Sequence, residues 1–350
     1  MTRFAILGDT HLGARNDLKL FHTHFEKFYD VMIADLIDQG ITDIFQLGDL
    51  FDRRKFINFQ SLKESKRYFF DRLEAAGITL HVLVGNHDIF YRETLAVNSP
   101  SLVLGEYGNI NVFTKPTTVE IGGTMIDMIP WICADNEQEV KQFIANSKSD
   151  LCFGHFEIAT FSMYRGVESH DGLPIDMFGR YELVCSGHYH TRSQKDNITY
   201  VGTPYEMTWQ DYNDPKGYHI FNTEDRSLTF TQNPHTIYTR LEYDDSKEMV
   251  PLDDVPLVDC FVKLIVTNKT DLYKFDQYVQ KLYTKGCYEV KIVEDMSEFQ
   301  DGEIGEEIDL EDTMDVLANY IDSIETESDK EKIKSYLKSL YIEAINLEVV

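Results

Sequence analysis

The 350-residue chain lacks the features that mark secreted, membrane-embedded or disulfide-stabilised proteins. It has five cysteines and no C-x-x-C pair, a usage typical of free thiols in a reducing compartment. No apolar run approaches the ~20 residues of a membrane-spanning helix. The first residues, MTRF, lead directly into an apolar run and leave no room for a signal peptide. We therefore expect a cytoplasmic protein with no membrane partner.

Basic residues are also scarce, because 33 Lys and Arg face 60 Asp and Glu and give a formal net charge of −27. A protein that binds DNA by itself normally carries a basic surface. The acidity is uneven, since residues 294–312 contain ten Asp or Glu and no Lys or Arg, whereas Arg53, Arg54 and Lys55 form a short basic cluster. Either a partner supplies most of any DNA affinity, or the substrate is not DNA.

One pattern occurs five times in the first two-thirds of the chain: an apolar run, then glycine, then a carboxylate, amide or imidazole. An apolar run that ends in this way is typical of a buried strand that presents ligands at its carboxyl end. Asp, Asn and His ligands without Cys favour a site for divalent metal, and five such ends favour two ions. The five segments are residues 8–11 (GDTH), 48–52 (GDLFD), 85–88 (GNHD), 154–155 (GH) and 187–190 (GHYH).

Strands and helices alternate in the first 235 residues, which predicts an α/β fold. Amphipathic helices are predicted at residues 18–39 and 59–76, and each ends at a glycine. After Pro116 the pattern becomes rich in strands, predicted at residues 117–121, 124–129, 199–201, 218–221 and 228–231. We expect two sheets packed as a sandwich, with the metal ligands gathered at one end of both sheets.

The last third of the chain divides into a small module, a linker and two short helices. Strands at residues 258–266 and 288–293 flank a helix at 271–285, which predicts a β-α-β module within 236–293. Residues 294–309 are expected to form a flexible acidic linker. Residues 310–350 are predicted to form a helical hairpin with narrow apolar stripes, made by Leu310, Met314, Leu317, Ile321, Ile324, Ile333, Leu337 and Leu340.

A stripe as narrow as this suits the seam of a helical partner better than the wide apolar face that a globular core needs. The hairpin is therefore predicted to dock on the helices of another protein. The alternative is that it packs on the core of its own domain.

The five motifs together resemble those of the calcineurin-like metallophosphoesterase superfamily, over roughly residues 3–205. The resemblance implies a two-sheet metallophosphoesterase sandwich over residues 1–235 and a small α+β capping domain over residues 236–293. It implies two divalent ions, of which the first is held by Asp9, His11 and His190 and the second by Asn86, His155 and His188, with Asp49 as the bridge. His87 would be the catalytic group that binds no metal, and the carboxylate of Asp52 would orient and charge it.

Three further segments resemble the SbcD family of DNA double-strand-break nucleases and its tailed-phage recombination relatives: residues 126–131 (IDMIPW), 201–204 (VGTP) and 213–217 (NDPKG). This resemblance implies a duplex exonuclease and single-strand endonuclease that processes DNA ends in recombination and repair, with Mn²⁺ or Mg²⁺ as cofactor. It also implies an SbcC-type ABC ATPase partner bound through the C-terminal helices. A phage-encoded protein of this kind acts in the host cytoplasm.

Two other functions remain open on the sequence alone. A phosphoprotein phosphatase or other phosphomonoesterase is suggested by residues 48–53 (GDLFDR), in which Arg53 would hold a terminal phosphate. Phosphatases of that type lack the G-H-x-H pair, and a comparison of phosphodiester with phosphomonoester substrates separates the two activities. The other alternative is a scaffold that binds without metal, which a metal analysis of the purified protein tests.

The resemblance further implies a homodimer, formed by the helix at 59–76 and the segment near 93–106. The helix places Leu62, Phe69 and Leu73 on its predicted core face, with Tyr68 and Phe70 on other faces. The alternative is that these aromatic side chains cover the sheet of their own subunit.

Overall fold

The computed structural model describes residues 2–164, 167–168 and 172–294, together with Lys330. Residues Met1–Glu294 form the first of the two units into which the chain divides, and this unit is compact. The acidic linker predicted at 294–309 and the helical hairpin predicted at 310–350 lie outside the described residues, apart from Glu294 and Lys330.

Most strands are short, and they belong to two large sheets, one small sheet and a two-stranded ribbon. In chain order they are β1 (Arg3–Leu7), β2 (Asp43–Gln46), β3 (Thr79–Leu83), β4 (Ile110–Phe113), β5 (Thr117–Ile121), β6 (Thr124–Ile129), β7 (Leu151–His155), β8 (Ser162–Tyr164), β9 (Val167–Glu168), β10 (Leu183–Gly187), β11 (Ser193–Lys195), β12 (Ile198–Tyr200), β13 (Gly217–Asn222), β14 (Leu228–Gln232), β15 (Tyr238–Asp244), β16 (Phe261–Asn268) and β17 (Glu289–Glu294).

Two six-stranded sheets form the body of the first unit and confirm the predicted two-sheet α/β sandwich. The first sheet has the order β14-β13-β1-β2-β3-β4, and β1 to β4 run parallel. The second has the order β11-β12-β10-β7-β6-β5, and its four central strands run parallel. The five strands predicted between residues 117 and 231 all occur, each within one residue of the predicted bounds.

Both faces of the central strands are covered, which explains why these strands have continuous apolar sequences. In β1, Phe4 and Ile6 belong to the core between the two sheets, whereas Ala5 and Leu7 face the helices outside. Edge contacts between aromatic rings join the two sheets, since the ring centroid of Phe153 in the second sheet lies 5.2 Å from that of Phe45 and 5.9 Å from that of Phe4 in the first. All five cysteines are free and buried, as predicted.

Helices cover the outer faces of the two large sheets and one face of the small one. Helix α1 confirms the prediction for residues 18–39 to within one residue at each end. None of the helices in the described part of the chain is long and apolar enough to cross a membrane. The helices are α1 (Lys19–Asp38), α2 (Phe59–Ser65), α3 (Asp71–Ala76), α4 (Ser99–Val103), α5 (Glu137–Asn146) and α6 (Leu272–Thr284).

Helices α2 and α3 are joined by a π-helical turn, Lys66–Phe70, and together span the predicted helix at 59–76. Tyr68, Phe69 and Phe70 are all fully buried, so the prediction that Tyr68 and Phe70 lie away from the core face is wrong. A π turn has more residues per turn than an α-helix, and here it directs three consecutive rings inward. The ring of Tyr29 stacks on Phe69 at 4.1 Å.

The three strands β15, β16 and β17 form a small parallel sheet, which we call the third sheet. The two strands and the helix predicted in this region occur as β16, β17 and α6, and α6 buries Phe275, Tyr278 and Leu282. Strand β15 was not predicted. Its alternation of buried Leu241 and Tyr243 with exposed neighbours is the signal that could have found it.

Candidate metal centre

The loops that follow β1, β2 and β3 in the first sheet, and the ends of β7 and β10 in the second, carry the five glycine motifs. Side chains from the five motifs meet there in a network of short contacts, in which each motif contacts at least one other. We call this set of strand ends the ligand edge. Asp9, His11, Asp49, Asn86 and His155 are buried there, with exposures between 0% and 8%.

Glycine in these motifs is required by close packing between the two sheets. A Cβ atom on Gly48 would lie 2.4 Å from Nδ1 of His155, and Gly48 also has a φ of 99°. A Cβ atom on Gly187 would lie 2.4 Å from Oδ1 of Asp9. Both distances are far inside van der Waals contact, so only glycine lets the ligands approach.

Three of the predicted ligands have positive φ angles: His11 at 39°, Asp49 at 51° and His188 at 90°. Such backbone costs on the order of 1–3 kcal/mol per residue and persists only where the surroundings enforce it. Asp49 is held partly through its main-chain oxygen, which accepts hydrogen bonds from the N–H groups of Thr10 and His11. Three of the eleven non-glycine residues with positive φ in the described part of the chain are therefore ligands at this edge.

The first cluster consists of Asp9, His11 and His190, whose ligand atoms lie within 4.8 Å of one another. Nε2 of His11 and Nε2 of His190 are 3.1 Å apart, and Nε2 of His190 lies 3.8 Å from Oδ2 of Asp9. The main-chain N–H of His188 donates to the Asp9 carboxylate at 3.0 Å and fixes its orientation. These are the three residues predicted for the first metal.

The second cluster contains Asp49, His155 and His188. The amide oxygen of Asn86 lies 2.9 Å from Nε2 of His155 and 3.1 Å from Nδ1 of His188, so Asn86 faces the same space. Nδ1 of His155 lies 2.7 Å from the main-chain oxygen of Leu47 and donates to it. That hydrogen bond leaves Nε2 of the neutral ring free to bind a metal.

Asp49 lies between the two clusters. Its Oδ2 is 3.8 Å from Nε2 of His11 in the first cluster and 3.3 Å from Nε2 of His155 in the second. Its Oδ1 accepts a hydrogen bond of 2.7 Å from the main-chain N–H of His87. This position suits a carboxylate that bridges two ions.

The electrostatics of the ligand edge fit divalent cations. Burial raises the pKa of Asp9 to about 6, and the nearby negative charge of Asp49 contributes to this shift. Although burial lowers the pKa of His11, Asp52 and Asp49 raise it to about 10. The raised pKa of His11 reflects the carboxylates around it, and a cation bound there would stabilise their buried negative charge. The donors are carboxylate, amide and imidazole groups, and these suit hard and borderline divalent ions.

His87 lies beside the clusters with one ring nitrogen already engaged. Its Nδ1 is 2.7 Å from the main-chain oxygen of Asp52 and donates to it, which leaves Nε2 for other contacts. We expected the carboxylate of Asp52 at this position. The structure instead places that carboxylate 3.4 Å from Nδ1 of His11. The chain turns after Asp49 so that the main chain of Asp52 faces His87 and its side chain faces His11.

Asp88, the last residue of the third motif, has a structural role that the sequence pattern did not predict. Its buried carboxylate accepts hydrogen bonds from the main-chain N–H groups of Leu50 (3.2 Å), Phe51 (3.1 Å) and Gly85 (2.9 Å). Asp88 therefore ties the loop of Asp49 to the loop of Asn86 and His87. The signal that could have found it was its place in the motif GNHD.

The basic cluster at residues 53–55 begins beside the ligand edge. Arg53 donates to Asp17 at 3.0 Å and to Asn16 at 2.7 Å, and these two residues lie in a left-handed turn with φ near 57°. Arg54 is partly buried, and Lys55 is exposed. Arg53 therefore anchors the turn, and Lys55 offers its charge to solvent.

Comparison with known proteins identifies the family to which these motifs correspond. The sequence profile described as calcineurin-like phosphoesterase matches residues 2–192, which is more than half of the chain. The chain is 35% identical over 341 residues to exonuclease subunit 1 of Enterobacteria phage T4, and the match covers 97% of this chain and 98% of that protein.

Solved structures give more distant matches. An archaeal phosphodiesterase matches 66% of this chain and 100% of its own, at 14% identity and a TM-score of 0.34. A hypothetical protein of Thermus thermophilus matches 67% of this chain and 100% of its own, at 15% identity and a TM-score of 0.35.

Proposed function

This chain belongs to the calcineurin-like phosphoesterase family, and we propose that it is a metal-dependent nuclease that hydrolyses the phosphodiester bonds of DNA. The observation that carries the proposal is the pair of ligand clusters with Asp49 between them. The match to a phage exonuclease subunit along almost the whole chain supports DNA as the substrate and an SbcD-type role in processing DNA ends. Recombination and repair, in the cytoplasm of a host if the protein is phage-encoded, form part of the proposal.

Asp9, His11 and His190 would hold one divalent ion, and Asn86, His155 and His188 the other, with Asp49 shared between them. Two bound ions supply charge for the phosphate oxygens and lower the pKa of water to generate the nucleophile. We propose Mn²⁺, with Mg²⁺ as the other candidate. His155 is preset for this role, because its hydrogen bond to Leu47 fixes the ring.

His87 is proposed as the general acid at the leaving oxygen. Its Nδ1–H is bound by the main-chain oxygen of Asp52, and its own N–H holds Asp49, so the ring and the bridging carboxylate keep a fixed relation. Its Nε2 can then present a proton to the leaving oxygen. We propose that Asp52 acts on His87 through this main-chain contact and on His11 through its carboxylate.

DNA contacts are proposed for the loop that follows the second motif. Lys55 is exposed and can approach a phosphate, and Arg54 lies next to it. Arg53 would act as the support of this loop, since it already pairs with Asp17. The third sheet with α6 is proposed as the capping domain of residues 236–293, which helps to admit DNA ends.

A partner is also proposed. The T4 relative is named as a subunit, and an acidic chain that acts on DNA needs basic surface from elsewhere. We propose an SbcC-type ABC ATPase that binds the predicted helices at 310–350. Substitution of Leu317 and Leu340 by Lys should abolish binding of the ATPase and ATP-stimulated duplex digestion, while cleavage of small diesters continues. Unchanged complex formation would refute this role.

A homodimer is proposed from exposed apolar residues, because the aromatic residues first considered for it are buried. Phe59 at the start of α2 is 89% exposed and Leu102 in α4 is 72% exposed. Apolar side chains as exposed as these suit an interface. The mass in solution at micromolar concentration tests the dimer, and Phe59→Ser together with Leu102→Ser should convert it to a monomer.

The main test compares bis(4-nitrophenyl) phosphate with 4-nitrophenyl phosphate in Mn²⁺, followed by linear duplex DNA with and without the ATPase subunit. The proposal expects hydrolysis of the diester and of DNA, and loss of both on metal removal. Faster hydrolysis of the monoester, without cleavage of DNA, would indicate a phosphomonoesterase. Purified protein that binds no metal and cleaves no ester would indicate a binding scaffold.

A further inference from the structure

A buried lysine lies directly behind His190 and takes no part in the metal clusters. Lys216 is 4% exposed, and its ammonium group donates to Asp211 at 2.6 Å, to Asp214 at 2.8 Å and to the main-chain oxygen of His190 at 2.9 Å. An ammonium group has three protons, so each proton of Lys216 has one acceptor. Removal of one partner from such a buried group is costly.

The acceptors of Lys216 are themselves fixed. The second oxygen of Asp211 accepts the main-chain N–H groups of Met207 and Thr208, each at 2.9 Å. Although burial raises the pKa of the Asp211 carboxyl group, the ammonium of Lys216 holds it below its ordinary value. Both groups are therefore charged at neutral pH, and the ion pair is anchored at both ends.

The backbone of Lys216 is also held in place. Its main-chain oxygen accepts the N–H of Asn233 at 2.8 Å. The next residue, Gly217, begins β13, and a Cβ atom there would lie 2.1 Å from the main-chain oxygen of Thr231. Glycine thus lets β13 and β14 meet closely enough to fix the position from which Lys216 reaches His190.

His190 needs such support more than His11 of its own cluster or His155 of the second cluster. Its side chain is 36% exposed, whereas the side chains of His11 and His155 are 4% and 0% exposed. Packing alone therefore restrains the His190 ring less. Its main-chain oxygen accepts two hydrogen bonds, from Lys216 and from the N–H of Thr203 at 3.0 Å. These bonds fix the backbone from which the ring projects.

We propose that Lys216 is a positioning residue, which holds the main chain of His190 so that its imidazole completes the first metal cluster. The role is distinct from metal binding, because Lys216 contacts the ligand through the ligand's main-chain oxygen. The inference rests on the proposed metal centre. It also gives a structural role to the segment NDPKG, which contains both Asp214 and Lys216.

The test is a titration of the protein with Mn²⁺. Calorimetry measures the affinity of each site, and electron paramagnetic resonance detects the coupled pair of ions. Lys216→Met should weaken one of two Mn²⁺ sites by about 10–100-fold, the usual effect of removing a group that orients a ligand. The weakened site should be the one that His190→Ala removes, and the other site should keep its affinity. Lys216→Arg, which keeps a charged donor, should restore most of the affinity.

Glu206→Gln is the matched control, because Glu206 is another buried charged residue in the same part of the fold. Its carboxylate accepts from Thr236 and from the N–H groups of Ile237 and Tyr238. It should change stability and leave both Mn²⁺ sites intact. An equal loss of Mn²⁺ affinity in Glu206→Gln and Lys216→Met, without rescue by Lys216→Arg, would overturn the proposal.

If Lys216→Met does not fold, Asp214→Asn provides the test, since it leaves the contacts of Lys216 with Asp211 and His190. Asp214→Asn should lower the Mn²⁺ affinity of the His190 site, by a smaller factor than that expected for Lys216→Met. An Mn²⁺ affinity equal to that of the wild type in Asp214→Asn would contradict the inference. Wild-type protein that binds no Mn²⁺ would refute the metal centre itself. Normal binding in both wild type and folded Lys216→Met would refute the role of Lys216 alone.

Discussion

The ligand edge and the third sheet differ in backbone conformation and in the burial of their charged groups. At the ligand edge, three non-glycine residues have positive φ, and two carboxylates, Asp9 and Asp49, are buried together. In the third sheet, β16 pairs with β17 in unbroken register from residue 261 to 266, and buried residues alternate with partly exposed ones. Its charged groups pair at the surface, as Lys247 and Asp244 do at 2.7 Å. The predicted ligands combine buried charge with positive φ, where function is expected, and regular packing is found where stability is expected.

The largest effect is expected for Asp49→Ala, which removes the carboxylate shared by the two clusters. The variant should lose both metal ions and all hydrolysis, because Oδ2 of Asp49 faces His11 and His155 at once. Metal analysis and the diester assay measure this. Asp127→Asn is the control, since Asp127 is also fully buried but accepts from Thr118, Ser149 and Tyr181, away from the ligand edge. Metal binding by Asp49→Ala at wild-type stoichiometry would exclude the bridge.

His87→Ala separates acid catalysis from metal binding within the ligand edge. The rate should fall by about 10²–10⁴-fold, the usual contribution of a general acid, while both ions remain bound. The rate with a 4-nitrophenyl diester should fall less than the rate with DNA. The 4-nitrophenolate leaving group is stable without a proton, so its departure depends less on a general acid. The hypothesis fails if the variant keeps full activity on DNA or loses its ions.

Leu264→Ala tests the other side of the comparison. Leu264 is fully buried in β16, and removal of a buried leucine side chain costs about 2–5 kcal/mol of unfolding free energy. The metal content and the rate with small diesters should not change. Denaturant unfolding gives the cost, and Ile292→Ala is the control because Ile292 in β17 is 44% exposed. A matching fall in metal affinity would show that the two regions are coupled.

The sequence predicted the ligand edge more completely than the third sheet, because the two regions have different local signals. At the ligand edge, apolar runs that end in glycine and a ligand residue predicted that the ligands gather at one end of both sheets, whereas the division of these ligands into two clusters came from the family resemblance. In the third sheet, β15 was not predicted. It pairs with β16, which begins after an intervening segment of sixteen residues, and a connection of that length has no tight-turn signature in the sequence. The π turn at Lys66–Phe70 was also not predicted, and in it Tyr68 and Phe70 pack against residues distant in sequence, His22 and Tyr107. The side chain of Asp52 took its direction from His11, which no spacing in the sequence specifies.

The smallest effect concerns His24, which belongs to neither region and tests whether titration outside the ligand edge influences stability. His24 is 4% exposed in α1, and burial, with His235 and Lys27 nearby, lowers its pKa to about 3. Below pH 6.5 the unfolded chain therefore binds a proton at His24 that the folded protein does not, so stability falls as the pH decreases toward 3. Between pH 7 and pH 5 this difference amounts to about 2 kcal/mol. His24→Gln cannot titrate, so its unfolding free energy in metal-free urea titrations should decrease less over this range, by about that amount. Equal pH dependence in the variant and the wild type would mean that His24 is protonated or solvated in the folded state.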